Sequence, residues 1–412
     1  MAIIVKLVIS VCGGGINRVM AYSLYVHIPF CKHRCHYCDF ITFVGYEPLQ
    51  PAYISALIKE LRIASSYVGQ DSLHSIYFGG GTPSLLSIYH YKQLIKAIQD
   101  FFIVDSNCEI SLEANPGTLS YEYLCELREL GINRLSFGVQ STNSFDLIRL
   151  DRSHTLEDVV EGFRYARKAG FDNINLDLIF NTPWQDLSSW ENSLSRAIAL
   201  SPEHFSLYSL IIEEGTALDR WYQRGLVACQ DEDLEAEMFE TAIMMLADAG
   251  YFHYEISNWA KKDHKHDYRC IHNLQYWKNL PYLGVGVGAH GYVNNVRIEN
   301  VHSINDYISR FNDKRNLQLT FPETQATMQT IQVDLQTQMK DFMWLGLRLV
   351  DEGVSVQDFF HTYGFSMVEV FDEEITELLN LGLVRWIDDR QHRLILTQRG
   401  LMLANQVFMR FV

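Results

Sequence analysis

The chain has 412 residues, 48% of them hydrophobic, enough to bury a large core and to imply one big domain with a smaller companion. Lys and Arg number 34 against 50 Asp and Glu, a net charge of −16 that argues against a broad phosphate-binding face and so against a nucleic-acid substrate. Of the eight cysteines, Cys12, Cys108, Cys125, Cys229 and Cys270 are scattered and Cys31, Cys35 and Cys38 are bunched, so no disulfide framework is legible and a reducing compartment, the cytoplasm, is expected.

Residues 1–20 stand apart. Ile3 to Val11 are apolar apart from Lys6 and Ser10 and lead into Cys12-Gly13-Gly14-Gly15, but a bilayer-spanning helix needs about 20 apolar residues, and no basic flank precedes the run. Val11 is also larger than a lipoprotein signal prefers before its cysteine. With Met20 just ahead of the first strand pattern, residues 1–20 read as an N-terminal extension upstream of the true start, an anchor through Cys12 being the other reading.

From Ser23 onward short apolar runs alternate with amphipathic stretches. Strands are expected over 23–28, 75–79, 109–113, 134–140, 173–180 and 204–210, and helices over 53–63, 89–101, 121–130, 156–169 and 188–200. Regular alternation of the two implies a parallel sheet. The expected fold is therefore α/β: a partial (β/α)6 TIM-like barrel, open on one side, with its chemistry at the C-terminal ends of the strands.

Directly after the first strand comes Cys31-Lys32-His33-Arg34-Cys35-His36-Tyr37-Cys38, whose three thiols are close enough to converge on one metal centre. A 4Fe-4S cluster held by three thiolates keeps one iron without a protein ligand, free to chelate the amino and carboxylate groups of S-adenosylmethionine. Zinc is the alternative, because His27, His33 and His36 lie nearby and Cys₃His is a zinc set. Structural zinc sites usually pair two short-spaced motifs, and no second CxxC occurs in the chain.

Side-chain alternation sorts the later strands. In 109–113, Ile110 and Leu112 face away from Glu113; in 135–140, Leu135, Phe137 and Val139 face away from Ser136, Gly138 and Gln140. In 173–180, Ile174, Leu176, Leu178 and Phe180 oppose Asn173, Asn175 and Asp177. If the apolar sides pack under the helices, Glu113, Gln140 and Asp177 line the lumen, where a buried carboxylate needs a partner. That partner is either an internal polar network or a ligand bearing hydroxyls, an amine and an adenine edge. Glycines at 79–81 allow a strand end to expose backbone groups to a ligand, or serve a plain turn with Thr82; Asn115-Pro116-Gly117 is turn chemistry in either case.

The cysteine loop, Phe78-Gly79-Gly80-Gly81-Thr82-Pro83, Glu113-Ala114-Asn115-Pro116-Gly117 and Asn133-Arg134-Leu135-Ser136-Phe137-Gly138-Val139-Gln140-Ser141 together resemble the radical S-adenosylmethionine superfamily, in the branch of oxygen-independent coproporphyrinogen III oxidases and HemW-type heme chaperones. The likeness runs from about Tyr22 to the C-terminus. It implies a 4Fe-4S cluster on Cys31, Cys35 and Cys38, and S-adenosylmethionine contacts at Tyr25, Tyr37, Gly80, Gly81, Thr82, Glu113, Gln140, Arg152 and Asp177. One departure is Asn181, where relatives commonly have glycine after the aspartate strand; asparagine also tolerates positive φ.

Residues 251–291 are the second informative region. His264 and His266, interleaved with Lys261, Lys262, Lys265 and Asp267, read as a solvated loop. Cys270 and His272 lead into Asn273-Leu274-Gln275-Tyr276-Trp277, and an axial nitrogen or sulfur beside an aromatic wall is what heme requires; a packing loop is the other reading. The His-Asn-x-x-Tyr-Trp pattern is similar to the HemW type, where it is linked to heme handling, which makes Cys270 and His272 heme candidates. Gly286-Val287-Gly288-Ala289-His290-Gly291 spells GxGxxG but precedes a strand-like run instead of a helix, so a dinucleotide site is rejected. It reads as a glycine-rich strand passing near the cofactor, with His290 a packed core histidine or a second heme or substrate contact.

The expected domains are the 1–20 extension, the barrel with its heme or substrate region over 21–310, a polar linker over 311–340 and a C-terminal α+β module over 341–412. In that module a first helical stretch, a second near 368–379 and a hairpin from 382–386 and 393–396 make a winged-helix-like unit. Its acidic residues outnumber its basic ones, so a lid or protein-docking role is expected in place of DNA contact.

Oxidases of the resembled branch carry a further cysteine two residues after the third cluster ligand; here that residue is Phe40. The resemblance thus implies a heme chaperone that binds cluster, S-adenosylmethionine and heme and passes heme to an acceptor protein, including one at a membrane, with an electron donor such as flavodoxin. The alternative is an oxygen-independent coproporphyrinogen III oxidase acting on a porphyrinogen. No catalytic residue is assigned.

Overall fold

A computed structural model describes residues 21–228, 230–313, 319–388, 390 and 392–412. The expected extension over 1–20 lies outside the described residues, as does Cys229. Strands β1 (Ala21–Ile28), β2 (Ser72–Gly80), β3 (Ile103–Ala114), β4 (Arg134–Gln140), β5 (Ile174–Phe180) and β6 (His204–Ser209) form consecutive parallel pairs. Helices α1 (Gln50–Val68), α2 (Ile88–Phe101), α3 (Tyr121–Glu129), α4 (Ser144–Arg149), α5 (Leu156–Lys168) and α6 (Leu187–Ala199) connect them.

Local chemistry explains where these helices begin. Ser87 accepts from the His90 N–H, Thr155 and Asp158 form a reciprocal capping box, and Asp186 accepts from the Ser189 N–H, each satisfying a backbone donor that the first helical turn cannot. Their apolar stripes then cover one side of the sheet. Leu24, Val26 and Ile28 of β1, Leu135 and Phe137 of β4, and Leu176 and Leu178 of β5 are fully buried against residues such as Leu57, Leu94, Val159 and Leu194. The opposite residues are left to line the lumen.

The region after 250 does not hang from this barrel as a loop; it extends the sheet at both edges. Strands β7 (Phe252–Glu255) and β8 (Asn258–Ala260) add antiparallel to β6. Strand β9 (Tyr282–Val285) pairs parallel with β1, and β10 (His290–Val293), β11 (Val296–Asn300) and β12 (Thr327–Gln332) follow as an antiparallel meander. The twelve strands run in the order β12-β11-β10-β9-β1-β2-β3-β4-β5-β6-β8-β7. Asn294 and Asn295, with φ of 51° and 61°, make the tight β10–β11 turn, which needs positive φ at both central positions.

Two expectations are corrected here. The stretch read as a polar linker contains β12 and the start of a helix, Leu335–Gly346; its Gln- and Thr-rich pattern is that of an exposed edge strand, polar because both faces of it meet solvent. The helix expected near 368–379 is split into Met367–Val370 and Asp372–Asn380 at Phe371, whose ring is buried in the C-terminal core.

The C-terminal unit has a core of its own, including Met343, Leu347, Phe359, Leu378 and Phe411. Val354–Ser355, Val384–Trp386 and Arg393–Leu396 form its three-stranded wing. It docks on the 251–300 region. The Ile256 N–H donates to the Arg348 carbonyl, Arg269 and Lys278 both pair with Glu352, and Arg297 pairs with Asp341 at 2.5 Å.

Candidate functional site: a thiol-lined cavity at the strand ends

The cysteine loop leaves and rejoins the barrel through two short parallel strands, Phe30–Cys31 and Phe43–Val44, so its excursion is pinned at both ends. The Phe43 N–H donates to the Pro29 carbonyl, and the Cys38 N–H donates to the Cys35 carbonyl. Cys31, Cys35 and Cys38 are free thiols and together border one cavity of about 410 Å³ over the C-terminal ends of the strands. Among the described residues no set of three ligating side chains is gathered tightly enough for a single metal ion. Thiols arrayed around a cavity suit a polynuclear cluster, in which each holds a different iron.

The nearby histidines are turned to other work. His27 is buried and shares hydrogen bonds with Tyr25 and the Ile41 carbonyl; burial lowers its pKa to about 4. His33 and His36 both reach Asp151. His33 still borders the cavity with its Nδ1 unengaged among the described residues, so it is the ring arrangement of the three thiols, and not a want of imidazole, that favours a cluster over Cys₃His zinc.

Tyr37, Gly80, Gly81, Thr82, Glu113, Gln140, Arg152 and Asp177 all border this same cavity. Tyr25 alone of the expected S-adenosylmethionine residues does not; it sits behind Glu113, in the walls of two adjoining cavities. Gln140 reaches the lumen by a different route from simple alternation. The β4–β5 register slips between Gly138 and Gln140, and Gln140 has φ of 65°, so a bulge aims it inward. The departure at Asn181 is tolerated as expected: φ is 58°, and its amide donates to Ser209 and Glu235.

The glycine turn acts mainly by leaving room. The N–H groups of Gly80, Gly81 and Thr82 donate within the chain, to Glu113 Oε2, the Ile28 carbonyl and the Phe30 carbonyl, so of the backbone groups expected to face a ligand these N–H groups are already engaged. A Cβ on Gly81 would lie 3.1 Å from Cys31 Sγ and 2.8 Å from the Phe30 carbonyl oxygen, where no side chain fits.

Arg152 ties the pieces together. It donates to Cys35 Sγ at 3.5 Å, to Asn115 Oδ1 at 2.5 Å and to the Gly138 carbonyl at 2.7 Å. Its Nε is buried without a hydrogen-bond partner among the described residues, a cost of about 1–3 kcal/mol unless a bound group accepts from it. Asn115 also donates to Thr82, whose hydroxyl meets Cys31 Sγ. The sequence reading treated Asn115 as turn chemistry alone; its place two residues beyond Glu113, at the end of β3, was the available signal. Gly138 was likewise missed as a packing requirement. Its Cβ would come 3.3 Å from Arg152 Nη2 and 3.1 Å from Gln140 Nε2.

The electrostatics favour a cationic or hydroxyl-bearing guest. Burial, and then the Asp177 charge, push the Glu113 carboxyl up to about 7 against hydrogen bonds from Gly80 and Tyr77. Burial also raises Asp177, which accepts from Ser136 and Asn175. The internal polar network is thus present at Asp177, which also borders the cavity. Burial pushes the Cys38 thiol up to about 11, so iron must displace protons on loading, and loading weakens as pH falls.

Cys270 and His272 prove to be interior residues, 2% and 1% exposed. Cys270 Sγ points at Glu109, and the two His272 ring nitrogens bond Ser75 and Tyr276. Both border a cavity of about 200 Å³ that adjoins the thiol-lined one. His290 is exposed, which removes the packed-core reading of it. The GxGxxG stretch opens no helix; Gly286 and Gly288, with φ of 104° and 67°, turn β9 into β10 over His27 and Ile41.

Comparison with known proteins agrees with this geometry. The radical SAM superfamily profile matches residues 25–197, and that of the HemN C-terminal domain matches residues 333–403. The heme chaperone HemW of Bacillus subtilis is 38% identical over 95% of this chain and 99% of its own length. That of Lactococcus lactis is 35% identical over 95% of this chain and 97% of its own. In structure the chain is similar to the coproporphyrinogen III oxidase HemN of Escherichia coli, with a TM-score of 0.80, 22% identity and coverage of 95% of this chain and 90% of that one, a likeness of fold. With a relative so similar along nearly the whole of both chains, this chain belongs to the HemW family of the radical SAM superfamily.

Proposed function

We propose that the chain is a heme chaperone of the radical SAM type, holding a 4Fe-4S cluster on Cys31, Cys35 and Cys38, S-adenosylmethionine in the cavity beside them, and heme as cargo for an acceptor protein. The observation that carries this is the near end-to-end match to chains named heme chaperone. Phe40, in place of the extra cysteine of the oxidases, points the same way.

Radical SAM membership implies the cluster and S-adenosylmethionine, and the residues present fit both. When bound, a cluster with one open iron supplies an electron to the sulfonium. The chain's own part is to position. Gly81 leaves space next to Cys31, Arg152 offsets thiolate charge, and Glu113 and Asp177 receive the amine and hydroxyls of the guest. A flavodoxin-like electron donor and a heme acceptor, including one at a membrane, complete the reading, with the cytoplasm as its site. No helix among the described residues is long and apolar enough to cross a membrane.

One anaerobic experiment tests it. Cluster-loaded protein is given coproporphyrinogen III, S-adenosylmethionine and reductant, and separately is titrated with hemin and mixed with an apo-hemoprotein. Hemin uptake and transfer without protoporphyrinogen is the expected result. Protoporphyrinogen formation would replace the carrier by the oxidase, and failure to bind hemin would remove it.

A further inference from the structure

A second cavity, of about 680 Å³ and walled by aromatic rings such as Trp277, Tyr282, Tyr292 and Trp344, adjoins the thiol-lined one. The partition between the two is the return arm of the cysteine loop. Asp39 and Phe40 border both spaces, Ile41 borders the aromatic one and Thr42 the thiol-lined one, because side chains alternate as the arm straightens into Phe43–Val44. The Ile41 carbonyl accepts from His27 Nε2 at 2.9 Å, and the Ile41 side chain rests on the turn Gly286-Val287-Gly288. A Cβ on Gly288 would run into Ile41 Cδ1, and one on Gly286 would lie 2.9 Å from the His27 carbonyl oxygen, so the turn meets arm and strand with bare backbone.

This glycine stretch, rejected as a dinucleotide site, is held from beneath by α1. Tyr53 and Glu60 lie two turns apart on one face of that helix, and both are fully buried. Tyr53 Oη accepts from the Val287 N–H at 3.1 Å and donates to the His27 carbonyl at 2.8 Å. Glu60 accepts from the Gly286 N–H at 2.7 Å and from Tyr307, Asn300 and Thr324 at 2.5, 2.8 and 2.8 Å. A buried carboxylate is destabilising unless well bonded, and this one directs its bonds at the turn and at the segments that follow it. On the far side of the arm, the Thr42 hydroxyl is buried without a hydrogen-bond partner among the described residues, yet lies close enough to Cys31 to act on its thiol. A protonated thiol is a weak acceptor, and a thiolate sulfur is a stronger one.

We propose that Tyr53 and Glu60, acting through the 286–288 turn, hold the return arm so that the Thr42 hydroxyl donates to the Cys31 sulfur of the bound cluster and raises its reduction potential. This rests on the reading that the three cysteines hold a cluster, and adds to it the groups that tune that cluster. A hydrogen bond to a ligand sulfur favours the reduced, more negative state. Thr42 touches the ligand, whereas Tyr53 and Glu60 are positioning residues that act through the glycine turn.

The test is a redox titration of the full-length chain after anaerobic loading with iron and sulfide, followed by electron paramagnetic resonance. Thr42→Val should shift the midpoint potential to more negative values at unchanged iron content, and Thr42→Ser should keep it. Gly288→Ala, which presses on Ile41, and Tyr53→Phe should shift it the same way, and neither should add to the shift of Thr42→Val. Ile41→Val, which removes the methyl that the new Cβ meets, should restore Gly288→Ala. In the cluster-free chain, Gly288→Ala and Tyr53→Phe should speed iodoacetamide alkylation of the buried Cys31 several-fold. A wild-type potential in Thr42→Val would overturn the bond. A shift in Thr42→Val beside wild-type potential and alkylation in Gly288→Ala and Tyr53→Phe would overturn the positioning role and keep the bond. Wild-type protein that takes up no iron-sulfide chromophore would remove the cluster reading itself.

Discussion

The two adjoining cavities are built in opposite ways. The thiol-lined one is assembled from the C-terminal ends of consecutive parallel strands, so each residue that faces it recurs once per strand-helix unit: Cys31 after β1, Gly81 after β2, Glu113 on β3, Gln140 on β4, Asp177 on β5. The aromatic one gathers Phe40, Trp277, His290, Arg297 and Trp344 from a loop, a helix end, two antiparallel strands and a separate core. The first is a product of a repeating topology and the second of tertiary docking, and the difference predicts that damage to one should leave the other standing.

Replacing Cys35 with alanine should break the comparison most sharply. Iron and sulfide loading should fall almost to nothing, whereas hemin uptake should be retained; loss of both would mean the cavities fold as one. Glu113→Gln comes next. Because burial raises its pKa from 4.5 to about 7, the folded chain binds more protons than the unfolded one between those values. Stability therefore falls as pH rises across that window, and the variant should flatten the slope in denaturant titrations taken at several pH values. A cationic guest favours the ionised form, so S-adenosylmethionine affinity should climb with pH through about 7 in the wild type and become weaker and pH-independent in the variant. A wild-type profile that is flat would refute the assignment of Glu113.

Gly138→Ala is the gentlest probe. An added methyl pressing on Arg152, Gln140 and Asn115 should cost about 1 kcal/mol of stability. It should also weaken S-adenosylmethionine binding several-fold in equilibrium dialysis, with hemin binding unmoved. An unchanged affinity would show that Arg152 is not held in place by that contact.

Much of the barrel was legible because its signals are local. Leu135-Phe137-Val139 alternates as a strand, Leu156 to Ala169 repeats as a helix, and three cysteines in one loop have few uses. Legibility failed where a residue's role depends on a distant partner. Asn115 looked like a turn residue because its tie to Arg152 spans a strand and two helices. That His272, a heme candidate, has its ring nitrogens on Ser75 of β2 and on Tyr276 could be read only from the fold. His290 looked like core because glycines surround it, and the β9–β10 turn faces it outward.

Spacing and periodicity alone determined six parallel strands with five helices between them, the thiol trio and the polar face carrying Glu113 and Asp177, since those follow from backbone geometry repeating along the chain. Only the folded arrangement decided which histidines have both ring nitrogens engaged, how the edge strands wall a second chamber, and that the C-terminal unit borders it. Those outcomes turn on hydrogen bonds and packing between segments far apart in the chain, which no local pattern of residues encodes.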